Sequence, residues 1–183
     1  MKTLKGIFFG LALVLFTACE YEGRPYYDDF DDSILGSVFE VKGDFTTQNN
    51  FRLSYEFPKN FILYDSDVVL VYMLWEQTTN QYGKKRDVWR LMPQTIMLEN
   101  GVLQYNFDYT KRDVRIFLDG TVDFTTLLPA ETKDQVFRIV VLPADYAINK
   151  SIDLTDYSLL MKSLNISAGS ISKTNLTVSD PVQ

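Results

Sequence analysis

The 183-residue chain contains no histidine and a single cysteine, Cys19. Without histidine the commonest general base and metal ligand is missing, and neither a Ser-His nor a Cys-His nucleophile pair can be assembled. No glycine-rich phosphate loop follows a strand-like run, and no zinc-ligand spacing occurs; no metal or cofactor is expected. Two kinds of side chain remain that could act on a ligand. Asp65, Asp67, Asp119 and Asp123 stand at the ends of strand-like runs, and a pair of carboxylates is what a glycosidase needs. The commoner use of aspartate at such places is a solvated turn. Asp65-Ser66-Asp67 could lend oxygens to calcium, but it lacks the longer spaced loop that makes such a site specific. Trp75, Tyr82 and Trp89 surround a polar loop, where aromatic rings could stack on a sugar or a partner protein. The competing reading buries both tryptophans in neighbouring strands and leaves Lys84-Lys85-Arg86 as a solvated loop tip.

Cys19 has a more specific context. Lys2 and Lys5 precede an unbroken run of apolar residues and glycine, Gly6 to Phe16. The run is too short to cross roughly 30 Å of hydrocarbon, which takes about 20 helical residues. Thr17-Ala18 then places small residues before the cysteine. These are the three parts of a secretory signal. Phe16 is too bulky for ordinary cleavage after Ala18, whereas a lipid-attachment box tolerates a large apolar residue there. Cys19 is therefore read as the lipidated residue, residues 1–18 as the signal peptide, and the acyl chains on Cys19 as the link to a membrane. With that thiol acylated, no disulfide is available, so an exported domain must be held by its own core.

Removal of residues 1–18 leaves 165 residues and takes the net charge from −6 to −8, because Lys2 and Lys5 go with them. No basic patch supports nucleic-acid binding. Residues 19–35 form an acidic tether in which Glu20, Glu22, Asp28, Asp29, Asp31 and Asp32 face one cation, Arg24. Like charges at that density keep a chain extended.

The elements that would position the aspartates and aromatics begin near Ser37. Phe51 to Phe57 alternates apolar and polar residues, the mark of a half-buried strand. Val68 to Trp75 is apolar throughout, as in a strand buried on both faces, and Val136 to Leu142 again reads as buried. Val88 to Leu98 reads as the partner of Val68–Trp75 in a long-looped hairpin, interrupted at Pro93. Glu99-Asn100-Gly101 is a tight turn, and Leu103–Tyr109 and Val114–Leu118 alternate after it. One helix is expected near 153–164, capped by Asp153 or Thr155, with Leu154, Tyr157, Leu160, Met161 and Leu164 on one face. Residues 36–165 thus form one β domain, and 166–183 a polar tail. Seven or eight strands in consecutive hairpins predict a mainly β protein, an antiparallel β-sandwich, with an open barrel as the alternative.

The start of the chain, from Lys2 and Lys5 to Thr17-Ala18-Cys19 and then Glu20 and Glu22, looks like a lipoprotein of the Bacteroidota. In that group an acidic stretch after the cysteine is associated with export to the cell surface. The remainder resembles a family of small flavobacterial lipoproteins of unknown function. The stretches that carry the likeness are Asp67–Tyr72, Asp87–Thr95, Leu103–Tyr109, and Gln135–Ile139 leading to Leu142-Pro143-Ala144-Asp145. Relatives often carry a collagen-like, glycine-rich tether, whereas this chain has Gly23-Arg24-Pro25 and then acids. The resemblance implies an outer-membrane, lipid-anchored protein at the cell surface and brings no catalytic residues. The expectation is a non-catalytic binding or interaction domain for an envelope protein or glycan; the alternative is a carboxylate-dependent glycan-processing enzyme.

Asp32-Ser33-Ile34 is similar to the Asp-Ser/Thr-apolar acceptor that Bacteroidota use for O-glycosylation of exported proteins, and Ser33 sits where tether meets domain. Intact masses of the native protein and of Ser33→Ala should differ by a glycan as well as by the substitution. A difference equal to the substitution alone removes the idea.

Overall fold

The structure is a computed structural model and describes residues 36–143, 146 and 153–176. Cys19, Ser33 and the segments 1–18 and 19–35 lie outside the described residues, as does 177–183. The described chain runs β1 (Ser37–Gly43), β2 (Arg52–Glu56), β3 (Asp67–Thr79), β4 (Lys85–Leu91), β5 (Gln94–Leu98), β6 (Gly101–Tyr109), β7 (Asp113–Gly120), α1 (Pro129–Thr132), β8 (Gln135–Pro143), α2 (Tyr157–Ser163) and β9 (Ser172–Leu176).

The strands form two sheets with no barrel closure, in the orders β4-β3-β8-β1-β9 and β2-β7-β6-β5. Every pairing is antiparallel except β1 with β9. The sheets bury a common core in which Phe39, Val41, Val71, Phe137 and Ile139 of the larger meet Leu53, Tyr55, Leu103, Tyr105 and Ile116 of the smaller. This is a β-sandwich. Period-two alternation explains the smaller sheet: in β2, Leu53 and Tyr55 are buried while Arg52, Ser54 and Glu56 are exposed.

The larger sheet is different because its other face is also covered. Val38, Tyr72, Val140 and Leu142 pack beneath Tyr157, Leu160, Met161 and Leu164 of the α2 region. A strand buried on both faces has no polar side to alternate with, which is why β8 does not alternate and is apolar from Val136 to Leu142 except at Arg138. The helix starts later than its apolar spacing predicts. Asp156 is its N-cap, with its side chain accepting from the Leu159 N–H, whereas Asp153 caps the preceding turn through Thr155.

Two segments depart from the sequence reading. Val88 to Leu98 is not one strand. β4 ends at Leu91 in the larger sheet, and β5 starts at Gln94 in the smaller one, paired with β6. The chain changes sheets at Met92-Pro93, a cis peptide bond, where proline cannot donate to a ladder. Residues 166–183 are not a tail throughout, since Ser172–Leu176 joins the sheet edge beside β1. The ordered domain therefore extends past residue 165, and the described strands number nine rather than seven or eight.

Gly120 ends β7 at φ 134°, and a Cβ there would lie 2.1 Å from the Val102 carbonyl oxygen. Gly83, at φ 75°, has open space around its Cβ position. Both substitutions incur backbone strain, but only one adds a collision. Gly120→Ala should cost more than about 3 kcal/mol and Gly83→Ala about 1 kcal/mol. Urea unfolding midpoints measure both, and equal losses would mean the β6–β7 junction relaxes freely.

Candidate functional site

The β3–β4 hairpin outgrows the sandwich. Met73 is level with Phe137, so β8 begins at Gln135 level with Trp75. Beyond that point β3 and β4 pair only with each other. The ladder shifts register between Leu74 and Glu76, and a bulge of this kind bends and twists a strand. From Glu76 to Thr79 on β3 and from Lys85 to Asp87 on β4, the arm is exposed on both faces.

The tip of this arm is ordered. The Asn80 side chain accepts from the backbone N–H of Tyr82 at 3.0 Å and of Lys84 at 2.9 Å. The Asn80 N–H donates to the Lys84 carbonyl and the Gly83 N–H to the Asn80 carbonyl. Gly83 takes the positive φ that the turn requires. Held on this frame, Tyr82 is 83% exposed. Lys84, Lys85 and Arg86 follow it, and none of them makes an ion pair among the described residues.

The three aromatics read as a stacking group do not converge. Trp75 faces the inter-sheet core, with the Arg90 guanidinium 3.8 Å above its ring. Trp89 lies on the opposite face of the sheet, against Tyr157. Only Tyr82 is presented to solvent. Both tryptophans therefore pack as strand residues, and Trp89 has a partner that the sequence reading did not single out.

That partner is Arg138. It lies in β8 and is only 7% exposed. On the covered face of the sheet Lys173, Glu40, Arg138 and Tyr72 form a row on neighbouring strands β9, β1, β8 and β3. Arg138 donates from Nε and Nη2 to Glu40 Oε2 at 2.9 and 2.7 Å, and from Nη1 to the Tyr157 hydroxyl at 2.5 Å. Its guanidinium carbon is 4.1 Å from the Trp89 ring centre. Lys173 meets the other Glu40 oxygen at 2.8 Å. Burial alone would raise the Glu40 pKa; the hydrogen bonds and charges of Lys173 and Arg138 outweigh it and hold the carboxyl below its ordinary value. Burial raises the Tyr157 phenol above its usual value, against the pull of Arg138. Beside this cluster an open hollow of about 470 Å³ is walled by Asp87, Trp89, Asp153, Asp156 and Tyr157. Its acids are already engaged. Asp87 accepts from Gln77, Asp153 caps a turn and Asp156 caps α2.

The four aspartates weighed as catalytic are each tied to local structure. Asp65 pairs with Lys111 at 2.5 Å, and Asp67 accepts from the Tyr64 N–H at 2.9 Å. Asp119 accepts from the Gly120 N–H, and Asp123 from the Thr125 N–H and hydroxyl. The Thr125 hydroxyl and N–H hold the Asp123 carboxyl below the usual range, the opposite of the raised value a general acid requires. Asp65 neighbours the start of β7, whereas Asp119 lies near its end, so the two pairs occupy opposite ends of the sandwich. Among the described residues no three acidic, histidine or cysteine side chains come together as a metal site. No protein-family model, curated protein or solved structure matches the chain.

The pH behaviour of the Arg138 cluster has a defined sign. Because the folded-state pKa of Glu40 is depressed, the cluster contributes stability above the unfolded value of about 4.3 and loses it as pH falls through the folded value. Glu40→Gln should destabilise the domain by about 3 kcal/mol at pH 7, since it leaves a buried guanidinium without its counter-charge. At pH 3 the deficit relative to wild type should shrink. Urea titrations at both pH values measure it, and an unchanged deficit would show that charge is not the cause.

Proposed function

We propose that this chain is a lipid-anchored envelope protein whose β-sandwich serves as a non-catalytic binding module. The anchor is supported by Cys19, the single cysteine, placed after an apolar run and two small residues. Lipid on Cys19 would account for membrane attachment without a spanning helix; no helix among the described residues is long and apolar enough to cross a bilayer. Multiple acyl chains are needed because each buried methylene contributes about 0.8 kcal/mol and one chain holds only reversibly. The resemblance of the N-terminal segment to Bacteroidota lipoproteins, with Glu20 and Glu22 after the cysteine, favours the outer membrane and its outer face.

The observation that carries the binding reading is Tyr82. A large amphipathic ring stands almost fully exposed on a turn already fixed by Asn80, so engaging it costs little further ordering. A tyrosine in that setting suits the flat face of a sugar or the surface of an envelope protein. The flanking cations favour an acidic partner, in a chain that is otherwise net negative.

Each half has its own measurements. Cys19→Ala should move the protein from the membrane fraction to the soluble fraction; retention in membranes removes the lipid anchor. Protease shaving of whole cells should cut the wild type, and protection until the outer membrane is broken removes surface display. Tyr82→Ala should weaken capture of envelope glycans or proteins roughly tenfold or more, the loss of an anchor worth about 1.4 kcal/mol. Turnover of chromogenic glycosides that is abolished by Asp123→Asn or Asp65→Asn would replace the binding module with an enzyme.

A further inference from the structure

Strand directions fix the end of the sandwich at which the chain enters β1. Ser37 is level with Val141, and Asp67 with Pro143, so the chain enters β1 at the same end at which β3 begins. That end is also formed by the 57–66 loop and by the 110–112 turn, which Lys111 and Asp65 join. The Tyr82 arm leaves from the other end.

The entry end carries exposed apolar side chains. Ile62 is 65% exposed and Tyr64 62% exposed, and Tyr109, at the end of β6 before the 110–112 turn, is exposed at the same end of the sandwich. The loop is held in place. The Tyr64 carbonyl accepts from the Asp67 N–H at 3.0 Å, the Phe61 N–H donates to Pro58, and Phe61 packs edge-on against Phe39. Phe61 and Leu63 turn into the core, which leaves Ile62 and Tyr64 outward by alternation. Two strand spacings separate β1 from β3, and Asp67 lies about two residues further along than Ser37, so the start of β3 is roughly 12 Å from the chain's entry point.

The geometry points to this end as a membrane-docking surface, with Ile62 and Tyr64 entering the headgroup region and Tyr109 at its margin. This rests on the lipid anchor at Cys19. An anchor seventeen residues before Gly36 keeps the entry end within about 56 Å of the bilayer even when the chain between is fully extended. A weak surface then acts at high effective concentration. Tyrosine is suited to the bilayer interface, where its ring is apolar and its hydroxyl stays wet. Docking by this end would point the Tyr82 arm away from the membrane.

The single cysteine provides the test. If Cys19 is acylated, an added cysteine is the sole free thiol. Ile62→Cys, Tyr64→Cys and, as the control at the far end, Tyr82→Cys are labelled with an environment-sensitive fluorophore in the full lipidated chain. Each is reconstituted in vesicles of phosphatidylethanolamine and phosphatidylglycerol. The probes at 62 and 64 should shift to the blue and be quenched several-fold more by doxyl-labelled lipid than the probe at 82. Equal, water-like signals at all three positions overturn docking. A shift at 62 that follows protein density and ignores the lipid quencher overturns it in favour of contact between copies. Failure of the anchor itself reads differently: the unmodified protein would then take up the thiol label at Cys19 and leave the vesicles.

Discussion

A sheet buried on both faces has no solvent side on which to keep a charge, yet Arg138 lies in its middle strand, β8, between β3 and β1. An unpaired guanidinium there would cost several kcal/mol, so its neighbours are constrained together. Glu40 must come from β1, Tyr157 from α2 and the Trp89 ring from β4, and each contact fixes the element that supplies it. Lys173 then balances the other oxygen of Glu40 from β9. Four separate segments are thereby brought to one charge on a fifth, β8. The helix is located on the sheet by this cluster as well as by the apolar contacts of Leu160 and Leu164, which alone would tolerate sliding.

The same cluster bears on the projecting arm. Trp89 is pinned by Arg138 and Tyr157 on one face of β4, and the next residue, Arg90, covers Trp75 on the other. Both faces of the hairpin are thus fixed at the level where the rest of the sheet stops. Past that level the arm has only its own ladder and the Asn80 turn to hold it, with the Gln77–Asp87 side-chain pair across it. Isolated two-stranded hairpins are marginal in water; this one is the continuation of strands whose other halves are in the core.

Much of the fold is legible in periodicity. Phe51–Phe57 and Leu103–Tyr109 each face one core and water, so they alternate, and the apolar runs of β3 and β8 announce two covered faces. What is not legible depends on contacts distant in sequence. Gln94–Leu98 looks like more of β4 because local pattern cannot say which sheet a strand joins. Ser172–Leu176 is polar because it is a short edge strand, and its place is set by Lys173 meeting Glu40 more than 130 residues earlier in the chain. Arg138 itself carries a weak signal, an arginine inside the run Val136–Leu142, which implies a buried counter-charge without saying that it is Glu40. Among the aromatics, composition marks Trp75, Tyr82 and Trp89 alike. Only the β-bulge and the strand register separate the two that pack on opposite faces from the one that faces solvent.

The cations beside Tyr82 have a second use that changes how the arm should be understood. β4 is an edge strand, and an exposed edge with free N–H and C=O groups invites pairing with another chain. Lysine and arginine along such an edge oppose that pairing by repulsion between copies. Lys85 and Arg86 can therefore be accounted for by solubility alone. The other edges show the same economy: β2 carries Arg52 and Glu56, and Pro93 precedes β5. Tyr82 has no such account. It covers no core, and in the turn its backbone N–H is what Asn80 holds, so a small residue would serve the turn equally well. An exposed aromatic that neither stability nor solubility requires is the side chain of the arm on which the proposed binding role rests.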